Sequence, residues 1–273
     1  MADSLYHLRT RYWNDVKPPR DALPDLEHRL AQGLIADWNM TEGEGLLAFD
    51  RSGRGNHGTL ENGPTWVAGD KGGAALEFDG AGDNVNLGNI PIVEGFSELT
   101  IVARIRPDFA TTEASNRFIC DKSLRPRLYF YAAADDFDFQ LATESGTGSA
   151  RTAGLTWTPG TWHQIVARYD GAKVSIWWDS VFKNEGPATG LVTAISANFR
   201  IGSAQNQSTP WLGAIDQVAI RNAALTADDI AQLFSEPYAY YPRPRRFWYT
   251  STAAVGVYPI IGGDHVIQGV EIG

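Results

Sequence analysis

The chain has 273 residues, 43% of them hydrophobic, and a net charge of −9 at neutral pH. That length holds one large β domain with extensions, and the charge argues against broad nucleic-acid binding, which needs a basic surface. One cysteine, Cys120, excludes an intramolecular disulfide and a Cys-based metal site. It fits a protein made in a reducing cytosol.

No apolar h-region opens the sequence, so no secretory signal is expected. No run approaches the roughly 20 apolar residues of a membrane span, so no membrane insertion is expected either. Residues 1–32 are charged and aromatic, with Tyr12 and Trp13 ahead of a stiff break at Pro18 and Pro19. Leu23, Leu26 and Leu30 are spaced for one face of a short helix that Gly33 would stop. This segment reads either as an arm that docks on a partner or as a strap over its own domain.

A β pattern starts at residues 33–38. In the loop at residues 50–60, Gly53, Gly55 and Gly58 satisfy G-x-G-x-x-G, but the residues after it, TLENGP, are turn chemistry rather than a helix. No dinucleotide site follows. Residues 74–87 read as strand, glycine turn, strand. Residues 99–106 alternate, with Leu99, Ile101, Ala103 and Ile105 on one face and Thr100, Arg104 and Arg106 on the other. Further strands are expected at 117–121, 128–132, 137–143, 199–202 and 211–221. Around residues 161–180 two apolar runs flank Asp170-Gly171, a strong hairpin signal that predicts a tight primed turn. In its second arm Val174, Ile176 and Trp178 point one way, Ser175 and Trp177 the other. Many short strands separated by Gly, Asn and Asp predict an all-β fold, two antiparallel sheets packed as a jelly-roll sandwich.

One helix is predicted. Thr226 is its N-cap, Asp229 stands at the third helical position, Leu225 and Ile230 are placed for a hydrophobic staple, and Glu236-Pro237 ends it. After Pro237 the composition shifts to YAYYPRPRRFWYTST and then to a Gly-, Val- and Ile-rich end. This reads as an extended arm for a neighbour, with Tyr240, Tyr241, Arg243, Arg245, Arg246, Phe247 and Trp248 as its contacts. The expected organisation is an N-terminal arm over 1–32, a jelly-roll domain over 33–236 and a C-terminal arm over 237–273.

The blocks GLIADWNMTEGEGLLAFDRSGRGNHGTL, ALEFDGAGDNVNLGN, LTIVARIRP, TWHQIVARYDGAKVSIWWDS, FRIGSA and GAIDQVAIRNAALTADDIAQLF resemble, in order, those of laminin-G-like, concanavalin A-like jelly-roll domains. The resemblance covers about residues 33–235 and implies sheets of about six or seven strands. The Pro/Arg/aromatic segment after the helix resembles bacteriophage virion proteins that carry this domain. That second resemblance implies a capsid decoration, head-fibre or tail protein located in the virion. It would be held through its arms to other virion proteins or to copies of itself.

Glycoside hydrolases of this fold carry carboxylates at alternating positions of one strand, so that one acts as nucleophile and one as acid. No such run exists here. Asp136 and Asp138 come nearest, without a third carboxylate, and no catalytic residue is assigned. The resemblance also implies a structural Ca²⁺ at Asp216, paired with carbonyls of the N-terminal strand, with Asp50 as a second candidate. A buried carboxylate at 216 needs either calcium or backbone N–H groups. The family's ligand rim corresponds to residues 121–123 and 205–207, where the second loop has lost its acidic residues. For carbohydrate, exposed aromatics beside amides or carboxylates are required. Trp177, Trp211, Asn206 and Asp121 are the candidates, with Tyr129 and Tyr131 alternating nearby. The expected activity is therefore non-enzymatic display of a lectin-like domain that binds host surface glycan, and the alternative is a free-standing carbohydrate-binding module.

Overall fold

The computed structural model describes residues 16–243 except 92, 124 and 125. Tyr12, Trp13, Arg245, Arg246, Phe247 and Trp248, read above as residues of the partner-docking arms, lie outside the described residues. The strands are β1 (Leu34–Trp38), β2 (Leu47–Ala48), β3 (Gly58–Glu61), β4 (Thr65–Ala68), β5 (Ala74–Asp79), β6 (Asn84–Asn86), β7 (Leu99–Pro107) and β8 (Arg117–Asp121). They continue with β9 (Arg127–Tyr131), β10 (Asp136–Thr143), β11 (Gly146–Arg151), β12 (His163–Tyr169), β13 (Lys173–Trp178), β14 (Val181–Pro187), β15 (Arg200–Ile201) and β16 (Leu212–Arg221). The helix α1 (Ala227–Ser235) closes the order.

The strands form two antiparallel sheets of eight, one or two more in each than the resemblance implies. The first runs β14-β13-β12-β7-β16-β5-β4, with β1 on the second half of β16. The second runs β11-β10-β9-β8-β15-β6-β3-β2. Their facing sides share one apolar core. It includes Leu99, Ile101, Ala103 and Ile105 from β7, Val174, Ile176 and Trp178 from β13, and Phe137, Phe139 and Leu141 from β10. The predicted alternation holds on these strands because each side chain two residues on returns to the same face.

The Asp170-Gly171 hairpin forms, with Asp170 N donating to the Lys173 carbonyl (3.2 Å) across Gly171 and Ala172. Tyr169 and Val174 are the last pair, the Asp170 carboxylate takes the N–H of Ala172 (3.1 Å) and Lys173 (2.9 Å), and Gly171 alone of the turn has positive φ. A tight primed turn comes next, at Asp179 and Ser180, both at positive φ between β13 and β14.

The outer face of the first sheet is covered. Val102, Val166, Trp177 and Ala219 pack there against Leu30, Ala31, Leu225, Ile230, Leu233 and residues 238–241. α1 is held at its start by the predicted capping box, Thr226 and Asp229 each taking the other's backbone N–H. The helix expected over Leu23, Leu26 and Leu30 is instead one 3-10 turn, Arg29–Ala31. Pro24 interrupts the run, and Leu23 and Leu26 stay exposed while Leu30 is buried. The strap reading of this segment thus holds for residues 16–32. Limits at 33 and 236 cut through packed side chains, since Lys17, Tyr238, Tyr240 and Tyr241 are all buried in this layer.

Candidate functional site

The outer face of the second sheet has no helix or terminal segment on it among the described residues. Its apolar cluster is small, Phe118, Tyr129 and Ala204 with Tyr131 against them. The sequence builds this face by alternation. In RLYFY, Leu128 and Phe130 enter the core, so Arg127, Tyr129 and Tyr131 point out. In β10, Phe137 and Phe139 enter the core, so Asp136, Asp138 and Gln140 point out. Register then sets cross-strand rows: Arg151, Asp138, Tyr129 and Phe118 stand side by side, and Ser149, Gln140, Arg127 and Asp121 form the next row. Arg200 and Asn86 extend that second row across β15 and β6.

Hydrogen bonds fix these groups. Asp138 is buried; its Oδ1 accepts from the Ser149 hydroxyl (2.7 Å), and its Oδ2 accepts from Gln140 Nε2 (2.8 Å), Arg151 Nε (3.1 Å) and the Tyr129 hydroxyl (3.3 Å). Burial, with the Asp138 charge adding to it, pushes the Tyr129 phenol up to about 12, so it stays a donor at neutral pH. Phe118 and Tyr129 stack at 4.7 Å, Arg127 lies over both rings, and Arg151 lies 4.4 Å over Tyr131. Asp121 Oδ2 accepts from Gln205 N (2.8 Å), which ties the loop at residues 203–209 to this face. Such a surface offers planar rings for stacking and oriented donors and acceptors for hydroxyls.

Several predicted site residues lie elsewhere. Trp177 points away from the core as expected, yet it is only 4% exposed, because the α1 layer covers that face. Trp211 is fully buried in the main core, edge-on to Phe109. Neither can stack on a sugar. Asn206 caps its own loop, accepting from the Ser208 N–H and hydroxyl. Asp121 is at the face, but nearly buried and engaged by Gln205 and Arg127. Tyr240 and Tyr241, read as partner contacts, donate instead to the buried Asp37 of the same domain, each at 2.8 Å. Arg243 is half-buried at the edge of the described chain.

The calcium candidates also have other partners. A bulge between Ile215 and Gln217 turns Asp216 to the covered face, while Val218 enters the core. There Lys17 reaches in. Its Nζ donates to Asp216 Oδ1 (2.8 Å), to the Asp216 carbonyl (3.0 Å) and to the Ala74 carbonyl, with both side chains fully buried. The Tyr238 hydroxyl donates to Asp216 Oδ2 (2.6 Å), and Asp70 N to Oδ1 (3.3 Å). The residues do not fit a calcium ion at this point, because an ammonium already supplies the cation. Asp50 takes three backbone N–H groups, from Asp37, Ser52 and Asn56, and so organises its own glycine loop. Among the described residues, no group of three or more His, Cys, Asp or Glu is placed to hold a metal ion.

A family model described as the concanavalin A-like lectin/glucanases superfamily matches residues 49–231. The chain belongs to that superfamily. Among solved structures, domain 4 of the extracellular arabinanase AbnA from Geobacillus stearothermophilus, in complex with arabinotriose, is similar with a TM-score of 0.53 and 18% identity. The match covers 73% of this chain and 97% of that one. The binding domain of Paraclostridial Mosquitocidal Protein 1 is similar at a TM-score of 0.61 and 11% identity, over 76% of this chain and 52% of that one. The botulinum neurotoxin serotype D ligand binding domain in complex with N-acetylneuraminic acid is similar at a TM-score of 0.56 and 10% identity, over 74% and 50%. The chain thus spans about half of each toxin domain. At these identities the likeness is one of fold. No curated protein sequence matched. Among the described residues, no helix is long and apolar enough to cross a membrane.

The face residues Phe118, Arg127, Gln140, Ser149 and Arg151 were not anticipated. The signal for Arg127 and Gln140 was present in the alternation of RLYFY and DFDFQL. Ser149 and Arg151 gave none, since the sequence of β11, GTGSAR, is too polar and glycine-rich to read as a strand.

Proposed function

We propose that the outer face of the second sheet binds glycan and that the chain acts as a non-enzymatic, lectin-type module. The observation that carries this reading is the paired rows on that face, where the Tyr131 ring and the hydrogen-bonded Gln140, Ser149 and Arg151 are fixed by the strands and reach solvent beside a buried Phe118–Tyr129 stack. The superfamily supports it, as do structural neighbours whose own ligands are arabinotriose and N-acetylneuraminic acid. The absence of catalysis is part of the proposal. It is supported by the engagement of the face's carboxylates: Asp138 by four donors, Asp136, nearly buried, by the Thr152 hydroxyl, Asp121 by Gln205 and Arg127, and Glu61 by Asn86 and Arg200. A free acid and a free nucleophile are what hydrolysis would require.

Carriage on a virion belongs to the same proposal as its setting, with residues 1–15 and 244–273 as the available anchors. Residues 16–32 and 238–241 lend it no support, because they are bound to the domain itself. The test is a glycan array probed with the full chain, followed by calorimetry on the best binder. Tyr131→Ala should weaken binding about fivefold, by removing a stacking surface worth of order 1 kcal/mol. Unchanged affinity in Tyr131→Ala, Gln140→Ala and Arg151→Gln would refute the face as the site.

A further inference from the structure

Two arginines on the glycan face differ from the other charged groups there. Arg200 is consumed by the fold: its guanidinium is held by Glu61 (2.7 Å), by Asn84 and by the Gln205 carbonyl (3.0 Å). Arg127 and Arg151 are tethered by Nε alone, Arg127 to Asp121 (3.4 Å) and Arg151 to Asp138 (3.1 Å). Neither has a hydrogen-bond partner for its Nη groups among the described residues, and their side chains are 26% and 41% exposed. Each guanidinium also lies on an aromatic surface, Arg127 on the Phe118–Tyr129 stack and Arg151 on Tyr131. Tethering at Nε and stacking together fix the plane and turn the Nη edge away from the protein. A rigid, planar two-donor edge matches a carboxylate better than it matches a sugar hydroxyl.

The two forks are spaced by the sheet. Arg151 stands opposite Asp138 and Arg127 opposite Gln140, two strands and two residues apart. Strand spacing and rise make this about 12 Å between their backbones. Between them lies Gln140. Its Nε2 donates to Asp138 and to the Tyr129 hydroxyl (3.1 Å), which leaves Oε1 to accept from a ligand. Asp136, Asp138 and Asp121 are the acidic groups of this region. Asp138 and Asp121 offset the two arginines in formal charge, so the preference arises from directed short-range hydrogen bonds rather than from a long-range positive field.

We infer that this face selects acidic glycans, an oligosaccharide whose sugar carboxylates meet the Nη edges of Arg127 and Arg151 while the ring between them lies over Gln140. This rests on the glycan-binding reading and narrows it to a substrate class. A uronate chain carries a carboxylate for each fork, and a sialylated sugar carries one, for either fork.

The experiment titrates the full chain with trigalacturonate, its fully methyl-esterified form, 3′-sialyllactose and arabinotriose. Trigalacturonate or sialyllactose should bind at least about tenfold more tightly than the ester and arabinotriose, and whichever acid is preferred identifies the source. Arg151→Lys and Arg127→Lys keep the charge and the counter-ion for Asp138 or Asp121 but lose the planar fork. Each should weaken acid binding about five- to twentyfold and weaken binding of the ester by a clearly smaller factor. Equal affinity for acid, ester and arabinotriose, or no effect of the lysine variants, overturns acid selectivity and leaves glycan binding standing. Absence of binding to every sugar, on these probes and on the array, overturns both.

Discussion

Replacing Lys17 by Met should destabilise the covered face of the first sheet by far more than the packing lost in this substitution. Met keeps the aliphatic stem that lies over Gly73, where even a Cβ would stand 2.9 Å from Lys17 Cδ, and removes only the ammonium. What remains is the Asp216 carboxylate, fully buried, with Tyr238 and Asp70 as neutral donors, and the carbonyls of Ala74 and Asp216 deprived of theirs. Removing one partner of a buried ion pair costs about 3–5 kcal/mol, because the surviving charge is left uncompensated. For a domain of this size each kcal/mol lowers Tm by about 2–4 °C, so the shift should be roughly 10 °C. Urea unfolding followed by Trp fluorescence gives the free energy, and adding Asp216→Asn to the Lys17→Met chain isolates the cause. The double variant should regain about half of the loss or more. A single variant within about 1 kcal/mol of the parent, where the buried-pair penalty predicts several, would refute the ion-pair account. So would a double variant as unstable as the single one.

Alkaline pH should destabilise the fold steeply. Burial, with the charges of Asp216 and Asp37 beside them, raises Tyr238, Tyr240 and Tyr241 above their ordinary value of 10.0. Their contribution is intact below pH 10 and is lost as pH rises past it, at about 1.4 kcal/mol per pH unit each, or about 4 for the three. Tyrosinate absorbance from these residues should appear together with unfolding, and a separate earlier titration would count against their burial. Trp177→Ala should cost about 3–5 kcal/mol in urea unfolding through a cavity under α1 and leave glycan affinity unchanged; lost affinity without lost stability would return Trp177 to the binding surface. Thr226→Ala should cost about 1 kcal/mol by breaking the capping box, read from the same unfolding curves. Brief chymotrypsin treatment read by mass spectrometry should spare the bond after Leu30, whose side chain is wholly buried, and cut it in the urea-unfolded chain. Rapid cleavage there in the folded chain would contradict the strap.

Much of the sandwich was legible because alternation reports directly on which side chains share a face. β7, β10 and β13 show it, and the Thr226 box marked the start of α1 correctly. Alternation does not say what covers a face. Trp177 was correctly turned away from the core and still misjudged as exposed, since its cover comes from residues 30–34 and 225–241. The face that Asp216 takes was not legible, because a bulge shifts the period by one residue and no residue type marks that bulge unambiguously. β11 and β14 escaped notice because they are edge strands of small and polar residues. Gly186 explains part of this: a Cβ there would stand 2.1 Å from the Ser149 carbonyl, so the close approach of the two sheet edges demands glycine where a strand reading expects a side chain. Lys17 gave no signal at all, being one lysine in a charged segment, and its partner lies 199 residues away. The open face was half legible. Tyr129 and Tyr131 were noticed on alternation, whereas Arg151 and Ser149 depended on finding β11.

The claim that the outer face of the second sheet is the ligand surface is tested most directly by a crystal structure of the full chain with the tightest-binding oligosaccharide from the array. The account predicts a sugar ring within about 4 Å of Tyr131, with hydroxyl or carboxylate contacts to Gln140 and Arg151. It is contradicted by a sugar seated elsewhere, for example in the groove of about 350 Å³ lined by Arg20, Glu42, Glu44, Leu46, Leu47 and Phe49.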